Sequence, residues 1–196
     1  MYATDSLRDE LVQNGITRLA KWERGVDANL FHPDRRKVHN GLPVALYFGR
    51  VSKEKNIEAF LNSEWSGHKI VVGDGPHLDA LKSKYPNVEY TGKLVGKELA
   101  EVVASADVSV FPSKTDTYGL TMIESMACGT PVAAFNVTGP RDVILHGKTG
   151  YLSNDESLSE AMHSSLSVSR KECRKFAEGK TWEVCTDQFY SNLVFI

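Results

Sequence analysis

Apolar residues along the chain fall into short unbroken runs, separated by stretches in which they recur every three or four positions. Val44-Ala45-Leu46-Tyr47-Phe48 is the clearest run, with the length and pattern of a strand buried on both faces of a parallel sheet. Lys69 to Val72, Val88 to Thr91, Val108 to Phe111 and Val132 to Phe135 repeat the theme, and the segment around Tyr151-Leu152 closes it as a last strand. Helical spacing lies between these runs: Ile57, Phe60 and Leu61; Leu78 and Leu81; Leu99, Val102 and Val103; Leu158, Ala161, Met162 and Leu166; Cys173, Phe176 and Ala177. Another helix, opened by Gly119 and ended by Gly129, carries Leu120, Met122, Ile123, Met126 and Ala127. Ser52 suits an N-cap, and Pro76 and Pro140 suit first helical positions. Thr4 or Ser6 caps an opening helix with Leu7, Leu11 and Val12 on one face, which Gly15 ends. The last helix, from Thr181, has Trp182, Val184, Cys185, Phe189, Tyr190 and Leu193 on more than one stripe, so part of it is expected to be exposed. Strands alternating with helices, without hairpin signals, predict an α/β fold with a parallel sheet and helices on both faces. Ligands of such sheets bind beyond the carboxyl ends of the strands.

Composition narrows the class of partner more than the fold. With 196 residues and 41% apolar content the chain has the size of one large domain with a proper core. A formal charge of −2 supplies no basic field, so nucleic acid is not an expected partner. No apolar run has membrane-spanning length, and Met1 to Asp5 does not read as a signal peptide. Cys128, Cys173 and Cys185 form no paired framework, which fits reduced thiols in a cytoplasmic protein. Arg35-Arg36-Lys37, leading to Asn40-Gly41, reads as a solvated surface on a mobile loop. His, Cys, Asp and Glu do not occur at metal-ligand spacings, so neither a metal nor another cofactor is expected.

The candidate chemistry starts from Glu124, an acid in an otherwise apolar helix, which needs a partner or a ligand. Gly119 allows close approach to backbone, and the first amides of the helix after it are unpaired donors, so an anion suits Tyr118, Gly119 and Leu120. Asp116 lies just before. A ligand anionic at one point and rich in hydroxyls elsewhere fits this arrangement, and a sugar nucleotide is such a molecule, each carboxylate accepting from a vicinal diol. After the first strand, Gly49-Arg50 leads to Lys55, which stands where a capping-box acid would help; a cation there opposes the helix dipole. An anion held between Arg50 and Lys55 explains both, the alternative being surface charges balanced by Glu54 and Glu58. Gly73-Asp74-Gly75 lacks the third glycine of a dinucleotide fingerprint, Leu78 taking its place, and reads as a structural turn with Gly73 near a bound nucleotide. Two carboxylates also raise the possibility of a glycosidase pair, which leaves the phosphate-binding features unexplained.

Asp116 to Glu124, with Tyr118-Gly119-Leu120 between and Ala127-Cys128-Gly129-Thr130-Pro131-Val132 behind, resembles the acid-x7-acid signature of the GT4 family of retaining glycosyltransferases. The resemblance extends over about the whole chain: Arg24-Gly25-Val26-Asp27 to Phe31-His32-Pro33 is similar to the family's segment crossing between domains, and His146 to Leu152 to its last turn and strand. It implies the carboxy-terminal, Rossmann-like half of a GT-B fold, the chain being too short for both halves. Residues 1–27 would close the amino-terminal domain, 28–180 form the donor-binding domain, and 181–196 cross back. The implied donor is a nucleotide sugar, a GDP- or UDP-hexose, with mannose or glucose favoured by the likeness of Thr115 to Gly119 to a TDTFG-type branch. Arg50 and Lys55 would grip its diphosphate, Glu124 the ribose and Asp116 the transferred sugar, while Gly92, Lys93 and Leu94 would meet the base unless that turn needs its glycine for shape alone. Asp116 departs from the usual Glu and Arg24 from the usual Asn, Asp142 matches an acid position only loosely, and His146 reads as a turn residue. The resemblance further implies transfer with retention to a glycan or lipid acceptor held by the amino-terminal domain, with peripheral membrane association of the full-length enzyme. An epimerase or phosphorylase of the same fold, or a noncatalytic nucleotide-sugar-binding module, stays open.

Overall fold

A computed structural model describes residues 1–39 and 41–193. Asn40 of the expected mobile loop and residues 194–196 of the expected terminal segment lie outside the described residues. Six strands, β1 (Val44–Phe48), β2 (His68–Val72), β3 (Glu89–Gly92), β4 (Val108–Phe111), β5 (Val132–Phe135) and β6 (Gly150–Ser153), form one sheet in the order β3-β2-β1-β4-β5-β6. Every pairing is parallel. The unbroken apolar runs follow from burial on both faces: Leu46, Phe48, Val72 and Phe111 point into one core cluster, and Ala45, Tyr47, Val71 and Val110 into the other.

The helices fill in between. They are α1 (Asp5–Gln13), α2 (Ile57–Asn62), α3 (Leu78–Lys84), α4 (Gly96–Ser105), α5 (Leu120–Ala127), α6 (Pro140–Val143), α7 (Ser159–Ser165), α8 (Arg170–Glu178) and α9 (Trp182–Ser191). Residues of α2, α3 and α7 close one face of the sheet, and residues of α4, α5, α6 and α8 the other. Two expectations need correcting. Pro76 is not in the first turn of α3: residues 74–77 first pair with the turn after β1, through Val51 N–H to Asp74 O at 2.9 Å and His77 N–H to Val51 O at 3.1 Å, and the helix starts only at Leu78. The basic triplet is only partly solvated: Arg35 and Arg36 are half-buried, while Lys37 is exposed as expected. Arg35 Nε donates to Leu30 O, Arg36 pairs with Asp107 at 3.3 Å and Lys37 with Glu101 at 2.6 Å, after a short 3-10 turn at Pro33–Arg35.

The ends of the chain lie against each other. Val26 N–H donates to Lys180 O at 2.9 Å, Lys180 Nζ pairs with Glu23 at 2.9 Å, and Glu23 N–H donates to Gln188. Arg174 Nη1 reaches Ala28 O, Phe31 O and Ala127 O, each at 3.0 Å, so one guanidinium holds the segment before β1 and the end of α5 together. Helix α1 buries none of its own residues and is tied down by Asp142, whose Oδ1 accepts from Ser6 N–H at 3.0 Å and Ser6 Oγ at 2.9 Å. In α9 only Cys185 is buried, while Trp182, Val184 and Tyr190 are exposed, as the double stripe predicts. Among the described residues no helix is long and apolar enough to cross a membrane.

Candidate functional site

Strands β1 and β4 are neighbours although their connections run to opposite sides of the sheet, so their carboxyl ends diverge and leave a crevice. Two adjoining cavities occupy it. The larger, about 490 Å³, is lined by Gly49, Arg50, Gly73, Asp74, Lys93, Leu94, Leu99, Thr121 and Glu124 among others. The smaller, about 280 Å³, is lined by Arg50, Lys55, Asp116, Gly119, Leu120 and Thr121 among others. Phe48, Gly49, Arg50 and Thr121 belong to both, which makes the two one continuous cleft.

Each wall has a local cause. Residue 73 sits at φ +142°, and a Cβ there would meet Gly49 O at 1.9 Å, so only glycine lets the ends of β1 and β2 approach this closely. Gly119 adopts a left-handed conformation, φ +73°, that turns the chain abruptly into α5; its carbonyl accepts from Met122 N–H at 3.0 Å, which leaves the amides of Leu120 and Thr121 without partners inside the helix. Tyr47 Oη donates to Arg50 O at 2.6 Å and fixes the backbone that carries the guanidinium. Ser52 does not cap through its side chain; its hydroxyl donates to Glu54 at 2.6 Å, before a 3-10 turn over Lys53–Lys55. Asn56 follows in the left-handed region and donates through Nδ2 to Pro112 O at 3.0 Å, drawing that turn against the loop after β4. Lys55 therefore meets Asp116, Nζ lying 2.7 and 2.9 Å from the two carboxylate oxygens.

Electrostatically the cleft is uneven. Among the described residues Arg50 makes no ion pair. Of the two acids proposed to balance it, Glu58 pairs with Lys84 and His77 instead, whereas Glu54 is held below the usual carboxylate range by its hydrogen bond from Ser52 and, less strongly, by the charges of Arg50 and Lys55, without forming an ion pair with either among the described residues. Glu124 forms no ion pair among the described residues, and burial alone pushes its carboxyl up to about 7. The acid that looked anomalous in the sequence therefore faces the larger cavity in want of a donor.

Of the residues singled out from the sequence, Gly49, Arg50, Gly73, Lys93, Leu94 and Glu124 line the larger cavity, and Lys55, Asp116, Gly119 and Leu120 line the smaller. Gly92 and Tyr118 line neither. Gly92 ends β3 and accepts at its carbonyl from Gly73 N–H at 2.8 Å. Tyr118 turns its ring into the core and donates through Oη to Arg24 O at 3.3 Å, burial pushing the phenol up to about 12. Tyr118→Phe, which removes only that long hydrogen bond, is expected to cost about 0.5–1 kcal/mol in urea unfolding. His146 is a turn residue, accepting at Nδ1 from Leu152 N–H at 3.1 Å. The sequence reading missed Tyr47, Asn56 and Thr121; a tyrosine inside an apolar strand was the one available signal.

A family model described as "Glycosyl transferases group 1" matches residues 42–167, more than half of the chain. The chain belongs to the glycosyl transferases group 1 family. Curated relatives agree. A GDP-mannose-dependent alpha-mannosyltransferase of Corynebacterium glutamicum is 34% identical over 95% of this chain and 50% of its own length. One from Mycobacterium tuberculosis is 32% identical over 92% of this chain and 52% of its own. The chain thus spans about half the length of the curated relatives it matches. Among solved structures, sucrose-phosphate synthase from Thermosynechococcus elongatus superposes with a TM-score of 0.78 at 24% identity, covering 96% of this chain and 56% of that one. Anabaena Alr3699/HepE, solved with UDP and glucose, gives 0.77 at 19% identity, covering 96% and 60%. At such identities the likeness speaks for the fold, and it is the Rossmann-like half of a GT-B glycosyltransferase that the family signature implies.

Proposed function

We propose that this group 1 chain is the donor-binding part of a hexosyltransferase that uses a nucleotide sugar, with GDP-mannose favoured. The observation that carries the reading is the meeting of Arg50, Lys55, Asp116, Glu124 and the first amides of α5 around one cleft at the carboxyl edge of the sheet. The relatives named above as GDP-mannose-dependent support the choice of donor. Arg50 and Lys55, with the amides of α5, neutralise the charge that develops on the diphosphate as the sugar leaves. Glu124 accepts hydroxyl hydrogen bonds from the ribose, Asp116 binds the hexose, and Lys93 and Leu94 flank the base. Residues 28–180 form the donor domain, and 1–27 with 181–196 cross toward an amino-terminal domain that holds a glycan or lipid acceptor. The exposed apolar side chains of α9 support that crossing. Transfer proceeds with retention, in the cytoplasm, with the full-length enzyme at the membrane periphery.

A thermal-shift panel of GDP, UDP, ADP and their sugars tests this directly. A nucleotide at a hundred times its dissociation constant stabilises the chain by about 2.7 kcal/mol. Arg50→Ala is expected to weaken binding by roughly tenfold to a hundredfold, losing hydrogen bonds to a charged partner. Its own melting temperature should stay unchanged, since Arg50 makes no ion pair among the described residues. No shift with any nucleotide removes the proposal.

A further inference from the structure

The two side chains assigned to different ends of the donor are bound to each other. Lys55 Nζ lies 2.7 and 2.9 Å from the two oxygens of Asp116, and each side chain keeps about a quarter of its surface exposed, 27% and 25%. Asp116 thereby neutralises one of the two cations in the smaller cavity, leaving Arg50, which makes no ion pair among the described residues, and the start of α5 as its other positive features. The backbone beside Lys55 is anchored to the loop after β4 through Asn56 Nδ2 and Pro112 O, which keeps the base of its side chain at the cavity.

We propose that the Lys55–Asp116 pair is a latch opened by the donor's diphosphate. An anion entering beside Arg50 competes with Asp116 for the ammonium, and the exchange frees the carboxylate for the hydroxyls of the sugar that follows. Partly exposed pairs of this kind are weak enough to exchange readily. Glu54 is not the partner of Lys55: among the described residues Lys55 pairs with Asp116 alone, while Glu54 accepts from Ser52 Oγ at 2.6 Å. The inference rests on the donor-site reading above, but differs from a plain sugar contact by Asp116 in one respect: it makes Asp116 an opponent of nucleoside diphosphates that carry no sugar.

Calorimetric titration of the chain with GDP and with UDP at low salt tests this. Asp116→Asn should bind the preferred nucleotide about twofold to fivefold more tightly, the range expected on releasing a partly exposed pair. Asp116→Ser should move the same way, which guards against a folding defect in one variant. In a Lys55→Met background the gain from Asp116→Asn should vanish, as a double-mutant cycle requires of a direct coupling. An Asp116→Asn affinity equal to or weaker than that of the unmodified chain overturns the latch, and so does a gain that persists without Lys55. Failure of the unmodified chain to bind either nucleotide overturns the donor reading and the latch together, whereas binding without tightening overturns the latch alone.

Discussion

Glu124→Gln should make the unliganded chain more stable at pH 8 while weakening its grip on a nucleotide. The carboxyl is raised from an ordinary 4.5 to about 7 by burial. The folded chain therefore holds a proton over the window from about 4.5 to about 7 that the unfolded chain has released. Stability falls as pH rises through that window, and the full cost of a buried charge persists above it. The shift corresponds to at most on the order of 3 kcal/mol. A chain of this size gains about 2–4 °C in melting temperature per kcal/mol. A rise of at most about 6–12 °C is therefore expected for the variant at pH 8, with little difference at pH 4.5. Ribose hydroxyls are accepted best by the ionised carboxylate, so nucleotide affinity of the unmodified chain should climb between pH 6 and 8. The Gln variant should bind about tenfold more weakly at pH 8 and show no such climb. Thermal denaturation at the two pH values, with and without GDP, measures all of this; equal stability of both proteins at pH 8 would refute the account of Glu124.

Gly73→Ala should be more damaging than any change to a charged residue of the cleft. Its Cβ would fall 1.9 Å from Gly49 O, at a φ of +142° that side-chain-bearing residues rarely adopt. Both neighbours are fixed, since Gly49 N–H donates to Val72 O at 3.0 Å and Gly73 N–H to Gly92 O at 2.8 Å. Relief requires the ends of β1 and β2 to part. We expect a loss of at least about 3 kcal/mol in urea unfolding, in the range of severe backbone strain. Any protein that folds should show a displaced Arg50 as weaker nucleotide binding. A variant of unchanged stability would mean that the two turns do not touch.

How far the sequence disclosed this structure depended on the range of the forces involved. Val44 to Phe48 and Val132 to Phe135 were readable as strands because a sheet covered on both faces asks only for apolar side chains, whatever lies opposite. Glu124 was readable as a site residue because an acid in an apolar helix contradicts its surroundings. Pro76 was misplaced because the competing partner of its turn, Val51, lies 25 residues earlier, and local preference for a first helical position yielded to those hydrogen bonds. Arg36 reads as solvated because its partner Asp107 is remote in the chain. The pairing of Lys55 with Asp116 was hidden for the same reason, their separation being 61 positions. The direction of the Tyr118 ring was equally invisible: its neighbours Thr117 and Gly119 say nothing of a carbonyl at Arg24.

The three carbonyls gathered by Arg174 have a mechanical consequence. Helix α5 is moored at its far end to the backbone at residues 28–31, and its near end supplies the amides and, one turn on, the acid that face the cleft. A short helix resists bending, so what fixes the position of its far end also fixes that of its near end. The separation of Glu124 from Arg50 is thus set partly by a segment that touches neither.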